Sequence, residues 1–538
     1  MVKLAILDAM LIPPFKPKLP EIAAPDQTPV VRSLLHIIGQ QQEQIQRLED
    51  EIRRLQGGPP RPQLKPNTLE PAGSSDAPAA ADGDPPRRRG PQRAKTAELK
   101  IDATERVPLA DVPAGAVFKG YRRFVVQELE IRTHNTCYLL EQWRFPTGEY
   151  VTAPVPATAV GGGHYGPQLI GYLLHQYYHA HVTQPLLLAQ LHDWGIEISA
   201  GQLNHLLTEG HDAFHQEKAA IKAAGLATSG YIQADDTGAR HQGRNGYCTY
   251  IGNERFAWFA STDSKSRVNF LELLQADRCY EINAEALAYM AERGLAAGHR
   301  EMLALHPVVL TDPTDWAAHL RRHLIDSPRA VALATEGALI GGLAAQGFNL
   351  AIGLVSDDAG QFDLFVHGLC WVHAERPLSR LVPLNESDRR AIAWVRQQVW
   401  FLYRDLKAYR RHPDPDAKER ITAGFEALCA TDTTCEPLNH VLSGLQRNQA
   451  ELLRVLERPE LPLHNNRSEN DIRDMVKKRK ISAGTRSAVG RQCRDTFASL
   501  KKTCRKQGVS FWEYLKDRVA GRNVIPSLAE LIRQPATP

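Results

Sequence analysis

The stretch of sequence that decides the fold is GYIQADDTG, residues 230–238, a short β-like run that ends in two aspartates. Two more candidate strands follow, YCTYIGN at 247–253 and FAWFAST at 256–262, and residues 267–274 have a helical pattern. The sequence therefore predicts three consecutive strands and a helix, with Asp235 on the first strand. An aspartate at a strand end is more often a turn residue than a ligand, so this stretch alone leaves both interpretations of Asp235 open.

A second apolar run also delivers two aspartates at its carboxyl end. It is AIGLVSDDAG, residues 351–360, and Asp357 follows the run directly. Open α/β sheets bind ligands at the carboxyl ends of their strands, and hard cations such as Mg²⁺ prefer carboxylate oxygens. Two runs with the same ending favour a shared metal site over two unrelated turns.

The third candidate acid is Glu469, in LHNNRSENDIR, residues 463–473. The two asparagines are typical of a helix N-cap, which predicts that Glu469 lies in the first turn of a helix. Acidic residues also favour that position because they complement the helix dipole. Taken alone, this stretch therefore favours a role for Glu469 at the helix N-terminus over a role as a ligand.

Composition excludes several classes of protein. The 538 residues allow about three or four domains, and no apolar run approaches the ~20 residues that a membrane-spanning helix needs. The N-terminal residues lack the features of a cleavable signal peptide. The eight cysteines form no CxxC pair, so we expect neither a zinc cluster nor a disulfide framework, and the pattern favours a reducing cytoplasm.

The distribution of charge predicts a polyanionic partner. The net charge is +4, but residues 470–506 contain twelve Lys and Arg against three Asp, a local net charge of +9. The rest of the chain is therefore acidic, with a net charge of −5. Positive charge concentrated in one place is typical of nucleic-acid binding, and a solvated helix face is the alternative.

The N-terminal part of the chain predicts an oligomerisation element and a linker. Seven residues, apolar with one exception, recur at heptad spacing: Leu34, Ile38, Gln41, Ile45, Leu48, Ile52 and Leu55. This spacing predicts a coiled coil, with an amphipathic helix packed on its own domain as the alternative. Residues 58–100 are rich in Pro, Ala, Gly and Asp, which predicts a disordered linker. The basic run RRRGPQRAK at 87–95 either contacts DNA or is solvated.

Two further units are predicted before the first acidic stretch. The runs FVVQELEI at 124–131 and CYLLEQWRF at 137–145 predict a small β-rich domain. Residues 166–215 have helical patterns, with Thr183 and Ser199 as predicted caps and a break at Trp194 and Gly195. Two helices joined by a glycine-containing turn are typical of a helix-turn-helix DNA-binding unit, and an ordinary helical hairpin is the alternative.

Four motifs, taken in order, resemble the bacterial insertion-sequence transposases of the IS-sixty-six type. They are ADDT at 234–237, VSDDAG at 355–360, HGLCWVHAER at 367–376 and NNRSENDIR at 465–473. The resemblance covers residues 30–56 and 160–520 and implies an α/β fold with an RNase-H-like catalytic core. Three strands with a carboxylate on the first match the opening of such a sheet. By this resemblance Asp235, Asp357 and Glu469 form a DDE catalytic triad that binds two Mg²⁺ ions, with Mn²⁺ as an alternative.

The resemblance also implies a chemistry and partners. Two divalent ions about 4 Å apart would activate a water or a 3′-hydroxyl for in-line attack on a DNA phosphodiester. His373 is either a core histidine or an active-site residue. The expected partners are the terminal inverted repeats of the element, target DNA and a second copy of the chain. Accessory proteins encoded by the element are a further candidate class of partner. The basic helix after Glu469 would hold DNA phosphates through Arg473, Lys477, Lys478, Arg479 and Lys480.

The chain also departs from the pattern of that family. Cys137 is the one cysteine where the family often has a zinc-binding segment, and Asn470 follows Glu469 where the family has Arg. The interval of 122 residues between Asp235 and Asp357 is long and predicts a helical insertion. Two alternative functions remain: a metal-dependent nuclease or resolvase on the same fold, and an inactive DNA-binding descendant of a transposase.

These segments predict a chain of several domains, and the resemblance implies a bacterial, nucleoid-associated location in the cytoplasm. In order, the predicted segments are an N-terminal tail (1–29), the coiled coil (30–57), the linker (58–100), the small β-rich domain (101–160), the helical helix-turn-helix-like domain (161–225), the first part of the catalytic core (226–385) with its helical insertion (about 276–345), an α-helical insertion (386–460), the last part of the core with the basic helix (461–520) and a C-terminal tail (521–538).

Overall fold

The computed structural model describes residues 100–112, 114–156 and 164–534. The predicted coiled coil at 30–57 and the basic run at 87–95 lie outside the described residues, as does the predicted linker up to residue 99. The chain divides into two units after Gln127, and everything discussed from here on, apart from residues 100–127, belongs to the second unit. No helix in the described ranges is long and apolar enough to cross a membrane.

The predicted β-rich domain is reduced to one short hairpin in the described residues up to 156. Its strands are β1 (Gln142–Arg144) and β2 (Tyr150–Thr152), which pair antiparallel. The strand predicted at 124–131 is wrong, because residues there form no strand. Phe124 is 86% exposed and Leu129 is 76% exposed. Residues with a high β-propensity stabilise a strand mainly by packing their side chains against a neighbouring strand, and the side chains of this run have no such neighbour.

A group of helices precedes the central sheet, as the sequence predicts. Ser199 caps its helix by accepting a hydrogen bond from the Gln202 amide, whereas the Thr183 side chain makes no capping bond. Gly195, with a φ of +71°, provides the predicted turn between the second and third helices. The helices are α1 (Pro167–Leu174), which continues into a π-helical turn (His175–His179), α2 (Gln184–Asp193), α3 (Ala200–Thr208) and α4 (Asp212–Thr228).

The three strands and the helix predicted around Asp235 are confirmed. β3 (Tyr231–His241), β4 (Arg244–Gly252) and β5 (Ala257–Thr262) form an antiparallel meander, and α5 (Arg267–Leu274) follows. The helical insertion predicted at about 276–345 is also present. It consists of β6 (Tyr280–Glu281), α6 (Ala284–Glu292), α7 (Ala297–Leu305), β7 (Val309–Leu310), α8 (Pro313–Arg322) and α9 (Pro328–Ala345).

Two parallel strands complete the sheet after this insertion. β8 (Gly353–Ser356) pairs parallel with β3, and β9 (Val366–Leu369) pairs parallel with β8. The strand order is β5-β4-β3-β8-β9, so β3 lies in the middle. The described chain is therefore an α/β protein built on one mixed sheet. β8 pairs with the first three residues of β3, so Asp235 lies within β3 and not at a strand end as the sequence predicted, whereas Asp357 comes directly after β8.

A second helical insertion and a C-terminal helical layer follow the sheet. The insertion, predicted at 386–460, has its own apolar core. Its helices, after α10 (Trp371–Ser379), are α11 (Glu386–Tyr409), α12 (Pro415–Cys429), α13 (Glu436–Arg447) and α14 (Gln449–Leu452). The C-terminal elements are α15 (Asn466–Ser482), β10 (Gly484–Thr485), which extends the sheet beside β3, α16 (Ala488–Lys506), α17 (Phe511–Val519) and α18 (Leu528–Arg533).

Helix α16 covers the open edge of strand β5. Its side chains Asp495, Ser499 and Thr503 recur every four residues and therefore share one helix face. They accept hydrogen bonds from alternate backbone amides of β5, those of Ser261, Phe259 and Ala257, at 2.7, 2.9 and 3.1 Å. The edge strand thus has its amides satisfied by a helix instead of another strand.

Candidate active site

The alternation of side chains along β3 separates Asp235 from its neighbour Asp236. Successive residues of a strand point to opposite faces of the sheet. Asp235 pairs across the ladder with Tyr250, whose ring belongs to the apolar cluster that includes Ile472 and Met475 of α15. Asp235 therefore faces α15, the helix that carries Glu469.

Asp236 lies on the opposite face of the sheet. Its carboxylate accepts hydrogen bonds from the side chains of Thr249 and Gln361. Both carboxylate oxygens are therefore already occupied by neutral donors within the fold. The structure gives the two consecutive aspartates different surroundings: the charge of Asp357 acts on both, and that of Glu469 acts on Asp235.

The parallel pairing of β3 and β8 brings Asp357 towards Asp235. Gln233 pairs with Val355; Asp235 comes two residues further along β3, and Asp357 comes directly after the last residue of β8. One oxygen of Asp357 accepts a hydrogen bond from the Ala359 amide at 3.3 Å. The adjacent Asp358 instead accepts a hydrogen bond from Asn448, at 3.1 Å.

Glu469 lies in the first turn of α15, as the sequence predicts. Its carboxylate is surrounded by basic groups. One oxygen lies 3.2 Å from Nε2 of His373 and 3.5 Å from a guanidinium nitrogen of Arg376, and the other lies 4.0 Å from Arg473. His373 and Arg376 are three residues apart on α10, so they share one helix face.

The predicted capping role of the two asparagines before Glu469 is wrong in its detail. Asn465 occupies the N-cap position but makes no capping hydrogen bond with its side chain. It is completely buried, and neither of its side-chain amide atoms has a hydrogen-bond partner among the described residues. Ser468 donates instead to the Asn465 carbonyl, at 2.6 Å. The side chain of Asn465 is thus a buried polar group without a hydrogen-bond partner among the described residues, and capping of the helix does not explain why an asparagine stands at this position.

The electrostatics of Asp235 show that the three acids influence one another. The pKa of Asp235 is raised to about 7, mainly by burial and also by the negative charges of Asp357 and Glu469, against an opposing hydrogen bond from the Asp236 amide. Burial lowers the pKa of His373, as does the charge of Arg376, whereas Glu469 and Asp357 act in the opposite direction. Residues separated by more than a hundred positions in sequence therefore form one electrostatic group.

The five basic residues predicted to hold DNA differ in their surroundings. Arg473, Lys477 and Lys480 are exposed, and their spacing of four and three residues places them on one face of α15. Lys478 is only 8% exposed, with its ammonium 3.8 Å from the centre of the Tyr177 ring. Arg479 donates a hydrogen bond to the backbone carbonyl of Gly238 on β3. Three of the five side chains are therefore accessible to a long polyanion.

Part of the positive charge at 470–506 is neutralised inside the fold, which sequence reasoning missed. Lys501 and Lys502 of α16 lie 2.8 and 3.1 Å from Asp474 of α15, and Lys506 lies 2.8 Å from Asp471. The three lysine side chains are almost entirely buried. The local net charge of +9 thus combines an internal ion-pair network with an exposed basic face.

The described part of the chain contains no complete set of metal-binding side chains around one position. Among those residues, no group of three or more His, Cys, Asp or Glu side chains is arranged to hold a metal ion. The donor set of Asp235, within β3, and Asp357, directly after β8, consists of carboxylates, which suit hard divalent cations.

The comparisons with known proteins connect this geometry to a family. The profile described as Transposase IS66 family matches residues 354–492, a segment that includes Asp357 and Glu469 and begins after Asp235. The chain is also 42% identical over 315 residues to an uncharacterized protein, y4jO, of Sinorhizobium fredii, and the alignment covers 57% of this chain and 98% of that protein. The chain belongs to the IS66 transposase family. Membership of the IS66 family supports a transposase-type function that acts on DNA. No solved structure matches the chain.

Proposed function

We propose that the chain is a DNA transposase that cleaves the ends of an insertion sequence and joins them to target DNA. Asp235, Asp357 and Glu469 are the proposed catalytic acids and metal ligands. The observation that carries the proposal is the placement of the acids. β3, which carries Asp235, pairs parallel with β8, which Asp357 follows directly, and the face of β3 on which Asp235 lies packs against α15, which carries Glu469. The charges of Asp357 and Glu469 act on Asp235, although 122 and 112 residues separate the three acids along the chain.

The topology of the sheet supports an RNase-H-like interpretation of the core. Three antiparallel strands come first, and two parallel strands are added beside the first of them. This arrangement brings the strand that carries Asp235 next to the strand that precedes Asp357. The two helical insertions leave the sheet uninterrupted, since they enter the chain after α5 and after α10.

The residues present fit Mg²⁺ better than a metal that needs a complete protein cage. Mg²⁺ keeps several waters and is commonly bound through one or two carboxylates together with substrate phosphates. The raised pKa of Asp235 has burial as its largest cause and the negative charges of Asp357 and Glu469 as further causes, and a divalent cation would offset those charges.

Each side chain at the site has a distinct role in this proposal. Bound divalent ions would supply charge stabilisation and an activated oxygen nucleophile for phosphodiester attack. Asp235 and Asp357 would hold them from adjacent strands, and Glu469 from the facing helix. His373 and Arg376 hold the Glu469 carboxylate in position. The exposed face of Arg473, Lys477 and Lys480 would orient the DNA backbone beside the acids.

The test is a strand-transfer assay with purified protein, Mg²⁺ and duplex oligonucleotides that carry the ends of the element encoding the chain. We expect joined products from the wild type and a loss of at least about a hundredfold with Asp235→Asn, Asp357→Asn or Glu469→Gln. Asp358→Asn is the matched control, because its carboxylate faces Asn448, and it should retain activity.

The outcomes of this assay separate the proposal from its alternatives. Cleavage of the ends without joining would favour a nuclease or resolvase. Binding of the ends without any cleavage would favour an inactive DNA-binding descendant. Equal activity of the Asp235→Asn variant and the wild type would refute the assignment of the acids.

A further inference from the structure

A cavity of about 570 Å³ lies apart from the three acids, between two groups of helices. One wall comes from the π-helical turn and from α2 and α3. The other wall comes from the last turns of α15, from β10 and from the first turns of α16. Its volume is within the range of about 300–1,000 Å³ that is typical of small-molecule sites. No role in the proposed chemistry uses it.

The lining of this cavity is cationic. It includes Lys478, Arg479, Arg486 and Arg494 and contains no Asp or Glu. Lys478 is more than nine-tenths buried and forms no ion pair with any carboxylate of the described residues. The pKa of Lys478 is lowered to about 8, mainly by burial and also by the nearby charges of Lys501 and Arg494. The ammonium of Lys478 contacts the ring and the backbone carbonyl of Tyr177, and a buried cation without a carboxylate partner among the described residues favours an anionic ligand.

The opposite wall offers the groups that recognise a base. Tyr177 presents an aromatic ring, and its neighbour Leu188 is apolar. The side-chain amide of Gln184 donates to that of Asn204 at 3.0 Å, which leaves a carbonyl on Gln184 and an amino group on Asn204. Unstacked bases are held by aromatic stacking and by hydrogen bonds to their edges. The basic side chains of the cavity are suited to bind a phosphate, and the aromatic ring and the amides are suited to bind the attached base.

The position of the cavity relative to the acids suggests how a strand could reach it. Lys478 is nine residues after Glu469 on α15, which is about 13 Å along a helix. Arg479 in the cavity wall is hydrogen bonded to Gly238, three residues after Asp235 on β3. This distance equals nearly four base steps of a duplex, at about 3.4 Å each. A DNA strand with a phosphodiester at the acids would therefore reach the cavity about four nucleotides away.

We propose that this cavity binds an unpaired nucleotide of a DNA strand whose nearby phosphodiester lies at the three acids. The inference rests on the proposed function, since it requires DNA at the three acids. It adds to that function a binding site that distinguishes frayed or single-stranded DNA ends from fully paired DNA. Lys478 and Arg486 receive the phosphate, and Tyr177 and the Gln184–Asn204 amides receive the base.

The experiment compares dissociation constants of the full-length chain for two DNA duplexes, in Ca²⁺ to suppress cleavage. One duplex is blunt and the other has three unpaired nucleotides at one strand end. We expect the wild type to prefer the overhang by about tenfold. Lys478→Met and Arg486→Ala should each bring this ratio close to one. Lys480→Ala, on the exposed face of α15, should weaken both complexes equally and keep the ratio.

Two features keep the proposal falsifiable. If Lys478→Met fails to fold, Arg486→Ala carries the test, because Arg486 is exposed and makes no ion pair with a described carboxylate. An unchanged ratio in Arg486→Ala would overturn the proposal. Free deoxyadenosine monophosphate should compete for the overhang only at millimolar concentration. Competition as strong as that of the strand itself would assign the cavity to free nucleotides and overturn the DNA assignment.

The same measurements distinguish failure of this inference from failure of the proposed function. Asp235→Asn should keep the tenfold preference, because Asp235 is not part of the cavity lining. A wild-type chain that joins strands but shows no preference would refute the cavity assignment alone. A chain that shows the preference without strand transfer would refute the proposed function alone.

Discussion

Replacement of Asp235 by Asn is expected to stabilise the metal-free protein while it removes strand transfer. The pKa of Asp235 is raised from the ordinary 3.8 to about 7 by burial and by the charges of Asp357 and Glu469, so the fold disfavours the charged carboxylate. At pH above 7 this corresponds to at most roughly 4 kcal/mol of lost stability, at 1.36 kcal/mol for each pH unit between the two values. Asp235 is partly exposed, so solvent screening reduces this figure, and we expect a gain of about 1–3 kcal/mol in the variant.

The pH dependence of this gain follows from the direction of the shift. A carboxyl whose pKa is raised in the folded state contributes its full stability below the unfolded value of 3.8. That stability is lost as the pH rises towards about 7. The advantage of Asp235→Asn should therefore increase from pH 5 to pH 8 and then remain constant.

The assay is urea unfolding followed by circular dichroism, in EDTA, at each pH from 5 to 8. Asp263→Asn is the control, because its side chain is 88% exposed in a surface ion pair with Arg491, and it should change stability by no more than about 0.5 kcal/mol. Added Mg²⁺ should stabilise the wild type more than Asp235→Asn, since binding to the folded state shifts the equilibrium. A variant that is less stable than the wild type at pH 8, or a difference independent of pH, would refute the reasoning.

Three further predictions test other parts of the chain. The double change Lys477→Ala and Lys480→Ala should weaken binding to all DNA sequences alike and flatten the salt dependence by roughly one unit per lost phosphate contact, whereas a loss confined to the element's own ends would contradict backbone binding. Asp474→Asn should destabilise the protein by about 3–5 kcal/mol at neutral pH, because it leaves Lys501 buried without its carboxylate partner and Lys502 with only Asp471, at 3.5 Å. Burial by itself raises the pKa of Asp474, but Lys502 and Lys501 lower it far more, so the deficit measured by urea unfolding should shrink as the pH falls through the acidic range and should not grow. Deletion of residues 1–57 should reduce self-association in sedimentation, since the heptad pattern lies there, and an unchanged oligomeric state would count against the coiled coil.

The elements around the acids could be predicted because their patterns are local. Strands β3 to β5 and helix α5 each follow from a few consecutive residues, and Glu469 lies where an acid after two asparagines is expected. The choice of Asp235 over Asp236 came from the family resemblance, and the alternation of faces along β3 now gives it a physical reason.

The surroundings of the basic residues could not be predicted in the same way. Lys478 is buried against Tyr177, a residue 301 positions away in sequence, and no local pattern predicts that contact. Likewise, Lys501 and Lys502 have the composition of a solvated surface but pair with an aspartate on another helix. The run at 124–131 fails for the opposite reason, since its local propensity finds no neighbouring strand to bury it.

The cover that α16 provides for β5 has a consequence for synthesis of the protein on the ribosome. The amides of Ala257, Phe259 and Ser261 find their acceptors 234 to 246 residues later in the chain. At about 5–20 residues per second, the nascent sheet waits roughly 12–50 s before those acceptors are made. During that time β5 presents an unpaired edge that other chains can pair with. A message truncated before codon 495 would therefore yield a chain that retains Asp235, Asp357 and Glu469 and is nevertheless expected to aggregate.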